Sequence, residues 1–113
     1  MDLTKKKCVP YRGSEPSLKK AEIRRYLSKL GKDWRVEFPP AGEPEKLVKE
    51  FEFKDFVTAI AFVNKVADLA EAEGHHPNIY IHSYKKVRIE LWTHKIGGLH
   101  ENDFIMAAKI EKL

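Results

Sequence analysis

Apolar residues along the chain recur first at helical spacing, then in alternation, and the whole cycle repeats before a last helical stretch. Leu18, Ala21, Ile23, Tyr26, Leu27 and Leu30 form a stripe that predicts a helix from Leu18 to about Leu30, capped by Ser17 and stopped by Gly31. Trp34, Val36 and Phe38 alternate with polar residues and predict a strand that ends at Pro39-Pro40. A turn through Ala41-Gly42-Glu43-Pro44 leads to a second strand, Lys46 to Phe53, with Leu47, Phe51 and Phe53 on one face. Asp55 then caps the longest helix, Phe56 to about Glu73, which Gly74 terminates. Its stripe of Phe56, Ile60, Val63, Ala67 and Ala70 is widened by Phe62, Val66 and Leu69, the breadth expected of a helix lying across a sheet.

Two further strands, Asn78 to Tyr84 and Lys86 to His94, are expected around a turn near Lys85. In the second, Val87, Ile89, Leu91 and Thr93 face one way, while Arg88, Glu90, Trp92 and His94 face the other. Gly97-Gly98 breaks that strand, at a place where backbone could approach a ligand closely. A last helix, about Glu101 to Lys112, turns Phe104, Ile105, Ala108 and Ile110 inward. The order α-β-β-α-β-β-α is that of an α+β fold: a four-stranded antiparallel sheet with helices packed on one face. Residues 1–16, rich in turn formers (Pro10, Gly13, Ser14, Pro16), are expected to be an N-terminal arm on a single domain of residues 17–113.

Composition narrows the class. An apolar fraction of 42% and a charged fraction of 34% are those of a globular protein with one core. No apolar run approaches the roughly 20 residues that span a bilayer. The charged start, Met1 to Cys8, has no apolar segment behind it and does not resemble a secretory signal. A lone cysteine, Cys8, excludes an internal disulfide, so a cytoplasmic setting is expected. The net charge of +4 is uneven: residues 1–35 hold eleven Lys/Arg against four Asp/Glu, leaving +7 there and −3 elsewhere. Lys19, Lys20, Arg24, Arg25 and Lys29 fit the solvated face of an amphipathic helix, and without a reader motif no nucleic-acid partner is expected.

The candidate chemistry lies at Glu71-Ala-Glu-Gly-His75-His76-Pro77. Glu71 and Glu73 occupy the last turn of a helix, where the dipole disfavours carboxylates by roughly 0.3–1 kcal/mol each. Glu71 stands one turn before His75, close enough to orient its ring, and Pro77 stiffens the corner at His76. His94 approaches the glycine pair, and Asp103 falls in the first turn of the last helix, where the dipole favours an ionised carboxylate. The plain alternatives are a helix that ends in water at two histidines and an ordinary acidic helix start. A metal site of His75, His76, His94 and Glu71 is a further alternative, weakened because adjacent side chains diverge in an extended segment.

The run Glu71-x-x-x-His75-His76-Pro77, followed by Tyr84, His94 and Asp103, resembles the signature of the pterin-4a-carbinolamine dehydratases. The likeness extends through Cys8-Val-Pro10, the Trp34 strand, Phe51-x-Phe53-x-x-Phe56, Thr93-His94 and Gly98-Leu99 to Phe104. Position 100 departs from it, with His where a capping Ser or Thr is expected, and Tyr11 replaces a second arm cysteine. The resemblance implies a dehydratase that converts 4a-hydroxytetrahydropterin to quinonoid dihydropterin and water in tetrahydrobiopterin recycling, without metal or cofactor. It implies catalytic roles for His75, His76 and His94 with Glu71 and Asp103 behind them, pterin contacts from His75, His76, Pro77, Thr93 and His94, and a homodimer or homotetramer. A non-enzymatic dimerisation module, or a pterin protein of another pathway such as molybdenum-cofactor metabolism, stays open beside it.

Overall fold

The computed structural model of the chain describes residues 2–10, 15–40 and 43–113. Tyr11, Gly13 and Ser14 of the arm, and Ala41 and Gly42 of the first hairpin loop, lie outside the described residues. The elements run α1 (Lys20–Leu27), β1 (Arg35–Glu37), β2 (Lys46–Glu52), α2 (Phe56–Glu73), β3 (Asn78–His82), β4 (Lys86–Leu91) and α3 (Glu101–Ile110). Short 3-10 turns stand at Leu3–Lys5 and His94–Ile96. The sheet is four-stranded and antiparallel in the order β1-β2-β4-β3, so the expected architecture is the one observed. No described helix is long and apolar enough to cross a membrane.

Register follows from alternation. Leu47 stands opposite Leu91, Phe51 opposite Val87, and Ile79 opposite Ile89, so these side chains share the helix-facing side of the sheet. Val66 and Ala70 of α2 and Phe104, Ile105 and Met106 of α3 join them in one buried cluster. Phe51 and Phe53 each meet Phe62 of α2, with ring centroids 4.8 and 4.9 Å apart. Asp55 caps α2 by accepting from the N–H of Thr58, a bond whose loss costs about 1 kcal/mol.

Four local expectations are corrected. α1 begins at Lys20 rather than Leu18, with extended Lys19 and not Ser17 at its N-cap, because the N–H of Leu18 is taken by the carbonyl of Leu99. The buried face of α2 is Ala59, Phe62, Val66 and Ala70, whereas Phe56 is half exposed; an apolar stripe this broad does not by itself say which edge is innermost. β3 ends at His82, since Ser83 and Tyr84 both take left-handed backbone to make the turn. β4 ends at Leu91, and His94 opens a 3-10 turn rather than closing a strand.

Gly98 is a spacer within the protein. Thr93 and Gly98 form an isolated bridge, the N–H of Thr93 donating to the carbonyl of Gly98 at 2.9 Å. A Cβ at Gly98 would lie 2.7 Å from the Cβ of Ser17, so the close approach there is to the chain itself. Gly98→Ala is therefore expected to cost about 1–3 kcal/mol through overpacking. Urea unfolding measures it, and an unchanged midpoint would refute the tight contact.

Candidate active site

Three chain segments meet at one corner. The first is the end of α2, where Gly74 (φ 68°) donates its N–H to the carbonyl of Ala70 and turns the chain. That turn separates two adjacent histidines: His75 is buried, at 6% exposure, whereas the His76 side chain is 61% exposed. The second segment follows β4, where the bridge to Gly98 anchors Thr93 and releases His94 into its 3-10 turn. The third is the start of α3, where His100 serves as N-cap and Asp103 as the reciprocal capping-box residue.

Asp103 is the centre of the arrangement and is fully buried. It accepts from His75 Nε2 at 2.6 Å, from the Thr93 hydroxyl at 3.0 Å and from the backbone N–H of His100 at 2.9 Å. Its first-turn position adds the favourable end of the helix dipole. A carboxylate that accepts the hydrogen bond of the Nε2–H leaves Nδ1 as the ring nitrogen not committed to Asp103. The substitution at position 100 keeps the cap, because His100 Nδ1 accepts the N–H of Asn102 at 3.0 Å.

His75, His76, His94, Gly74 and Trp92 line a hollow of about 250 Å³. The His94 ring stacks on Trp92, with centroids 4.3 Å apart and planes 15° from parallel, and Lys46 Nζ lies 4.8 Å from the centroid of the same indole. The predicted histidines therefore share one hollow, with Asp103 directly behind His75. Glu71 is placed differently from expectation: it accepts from His76 Nε2 at 2.5 Å, on the surface, and Asp103 orients His75. Thr93 is wholly buried with its hydroxyl on Asp103, so it supports the site from behind instead of lining the hollow. Pro77 is half-buried beside His76 and does not line the hollow.

Trp92 is the lining residue that the sequence reading assigned no role. Period-two alternation had put it on the His94 side, but that rule says nothing of ring stacking. Tyr84, part of the resembled signature, stands at the β3–β4 turn, 61% exposed and at the far end of both strands from His75 and His94. Among the described residues no group of three His, Cys, Asp or Glu side chains is placed to hold a metal ion.

Glu73, also suspected because of its place at a helix end, has a structural partner. It accepts from Lys109 Nζ at 2.7 Å and from the N–H of Cys8 at 2.9 Å, tying the arm and α3 to the end of α2. Burial alone would raise its pKa, but Lys109 and the Cys8 N–H together hold it below the ordinary glutamate value. Burial and then the Glu73 charge push the Cys8 thiol up to about 12, so it stays protonated and unreactive at neutral pH. A carboxylate with a lowered folded pKa contributes stability that is complete above the ordinary range and lost as pH falls through the lowered value. The urea midpoint of the wild type is thus expected to fall more steeply between about pH 5 and pH 3 than that of Glu73→Gln. Parallel slopes would remove Glu73 from the acid response.

Comparison with known proteins converges on one family. The family model for pterin 4 alpha carbinolamine dehydratase matches residues 16–113. A Rickettsia canadensis protein, provisionally named pterin-4-alpha-carbinolamine dehydratase, is 49% identical over 109 residues, covering 96% of this chain and 94% of that one. A Brucella melitensis crystal structure, described as a transcriptional coactivator/pterin dehydratase, superposes with a TM-score of 0.74 at 33% identity, over 85% of this chain and 96% of that one. A second structure, described as a pterin dehydratase-like RuBisCO assembly factor in the alpha-carboxysome, gives 0.57 at 28% identity, over 71% and 87%.

Proposed function

This chain belongs to the pterin-4-alpha-carbinolamine dehydratase family, and from that premise we propose that it dehydrates 4a-hydroxytetrahydropterin by histidine acid–base catalysis. The reaction breaks the bond from C4a to the hydroxyl oxygen. A proton must reach that oxygen for it to leave as water, and the adjoining ring nitrogen must lose its N–H proton as the C=N bond forms. Imidazole, with an unperturbed pKa of about 6.5, can donate or accept a proton at neutral pH.

The observation that carries this reading is the 2.6 Å contact from buried Asp103 to His75, a ring that opens on the same hollow as His94. A buried carboxylate behind an imidazole fixes its orientation and stabilises the imidazolium that forms during proton transfer, the logic of the hydrolase triads. His75 and His94 carry the two proton transfers between them. His76, held outward by Glu71, contacts the pterin ring, and Trp92 keeps the His94 ring in plane. The hollow suits the bicyclic ring and leaves the pterin substituent outside. A homodimer or homotetramer and a place in pterin recycling belong to the same proposal, and light scattering reads the first.

The deciding experiment generates the carbinolamine in situ and follows its ultraviolet decay with and without the protein. Acceleration supports the dehydratase reading; an unchanged decay at micromolar protein removes it. The neighbours described as a coactivator and as an assembly factor favour one second reading, a non-enzymatic interaction module, which the unchanged decay would leave standing.

A further inference from the structure

The basic excess of the first 35 residues has a second use in the fold. Between α1 and β1, the edge strand of the sheet, lies an apolar cavity of about 380 Å³ that, among the described residues, shares no lining residue with the histidine hollow. Its floor is Ile23, Leu27, Trp34 and Val36, and Phe38, 57% exposed, forms one wall. Its rim is Lys20, Arg24 and Arg35, and among the described residues no acidic side chain lines it. Arg35 is shared with Glu37 at 3.2 Å, and Lys20 reaches over the Phe38 ring at 5.8 Å. Among the described residues neither Lys20 nor Arg24 is matched with a carboxylate. A solvated helix face would spread such cations over water. Here they overhang an apolar cavity of the size that takes small ligands.

We propose that this cavity binds a small amphipathic anion, an apolar body of about ten carbons with one carboxylate. Apolar surface and cationic rim select together: the floor favours the hydrocarbon, while Lys20 and Arg24 supply charge-assisted donors to the head. An uncharged or cationic amphiphile of equal length loses the second contribution, and a cationic one is repelled by the rim. The proposal is independent of the dehydratase reading.

The test uses the full chain labelled with ¹⁵N. Trp34 lines this cavity and Trp92 the histidine hollow, so the two indole N–H signals report the two sites separately. Decanoate below its micelle threshold is expected to move the Trp34 signal saturably, with a Kd on the order of 0.1 mM, and to leave Trp92 in place. Decyltrimethylammonium and decyl maltoside are expected to bind at least tenfold more weakly. The double variant Lys20→Gln, Arg24→Gln is expected to weaken decanoate at least tenfold. Lys29→Gln with Lys32→Gln, which removes the same charge outside the cavity, should leave binding unchanged. Equal affinity for the three amphiphiles, no saturation, or equal loss in both double variants would overturn the proposal.

Discussion

His75→Ala is expected to lower the rate of carbinolamine dehydration roughly 10²–10⁴-fold, and His94→Ala to do the same, the range for a removed acid–base group. The two variants should differ in a second respect. His75 is buried against Asp103, so its loss also takes one of three donors from a buried carboxylate and costs stability, whereas exposed His94 rests on Trp92 and is cheap to remove. The measurement is kcat on protein shown by circular dichroism to be folded at the assay temperature. Added imidazole should restore part of the rate in His94→Ala, where the exposed hollow admits it. Losses below tenfold at both positions would take the histidines out of proton transfer and leave only the family's fold.

Asp103→Ala carries the second large effect, and it falls on stability as well as rate. Three donors converge on this fully buried carboxylate, one from each segment of the corner: His75 Nε2, the Thr93 hydroxyl and the His100 N–H. The His75 ring and the Thr93 hydroxyl would lose their partner while buried, and breaking such a network typically costs about 3–5 kcal/mol. That is a large part of the roughly 5–15 kcal/mol that holds a domain together, so the midpoint should fall by roughly 10–20 °C. Asp103→Asn retains an acceptor for Thr93 and His100 but presents His75 with the wrong partner. It should fold nearly as well as wild type while losing most of the rate. Calorimetry beside the decay assay separates the two variants. If Asp103→Asn unfolds as readily as Asp103→Ala, the residue is a pillar of the fold and no more.

Much of the architecture was legible because its causes are local. Alternation in Val87-Arg-Ile-Glu-Leu91 and helical spacing in α2 each need only a few neighbouring residues, so the element order and the sheet class followed from the chain. The errors came where distant residues intervene. Leu18 is kept out of α1 by a carbonyl eighty-one positions away, and a one-position choice of face in α2 is made by what packs on it. Glu71 and Glu73 were suspected alike from helix position. Only the fold shows Glu73 clamping Lys109 and Cys8 while Glu71 stays on the surface with His76.

By itself the sequence determined the layers of the fold and the residue types of the site: two histidines at a stiff corner, a third near the glycine pair, and an acid in a helix's first turn. Which acid serves which ring was decided only by the tertiary structure. The left-handed Gly74 and the Thr93–Gly98 bridge, acting together, turn His75 inward to Asp103 and stand His94 on Trp92. The physical reason is one of range: periodicity reports the direction of a side chain relative to its own element, whereas a 2.6 Å hydrogen bond between α3 and the end of α2 depends on how separate elements pack.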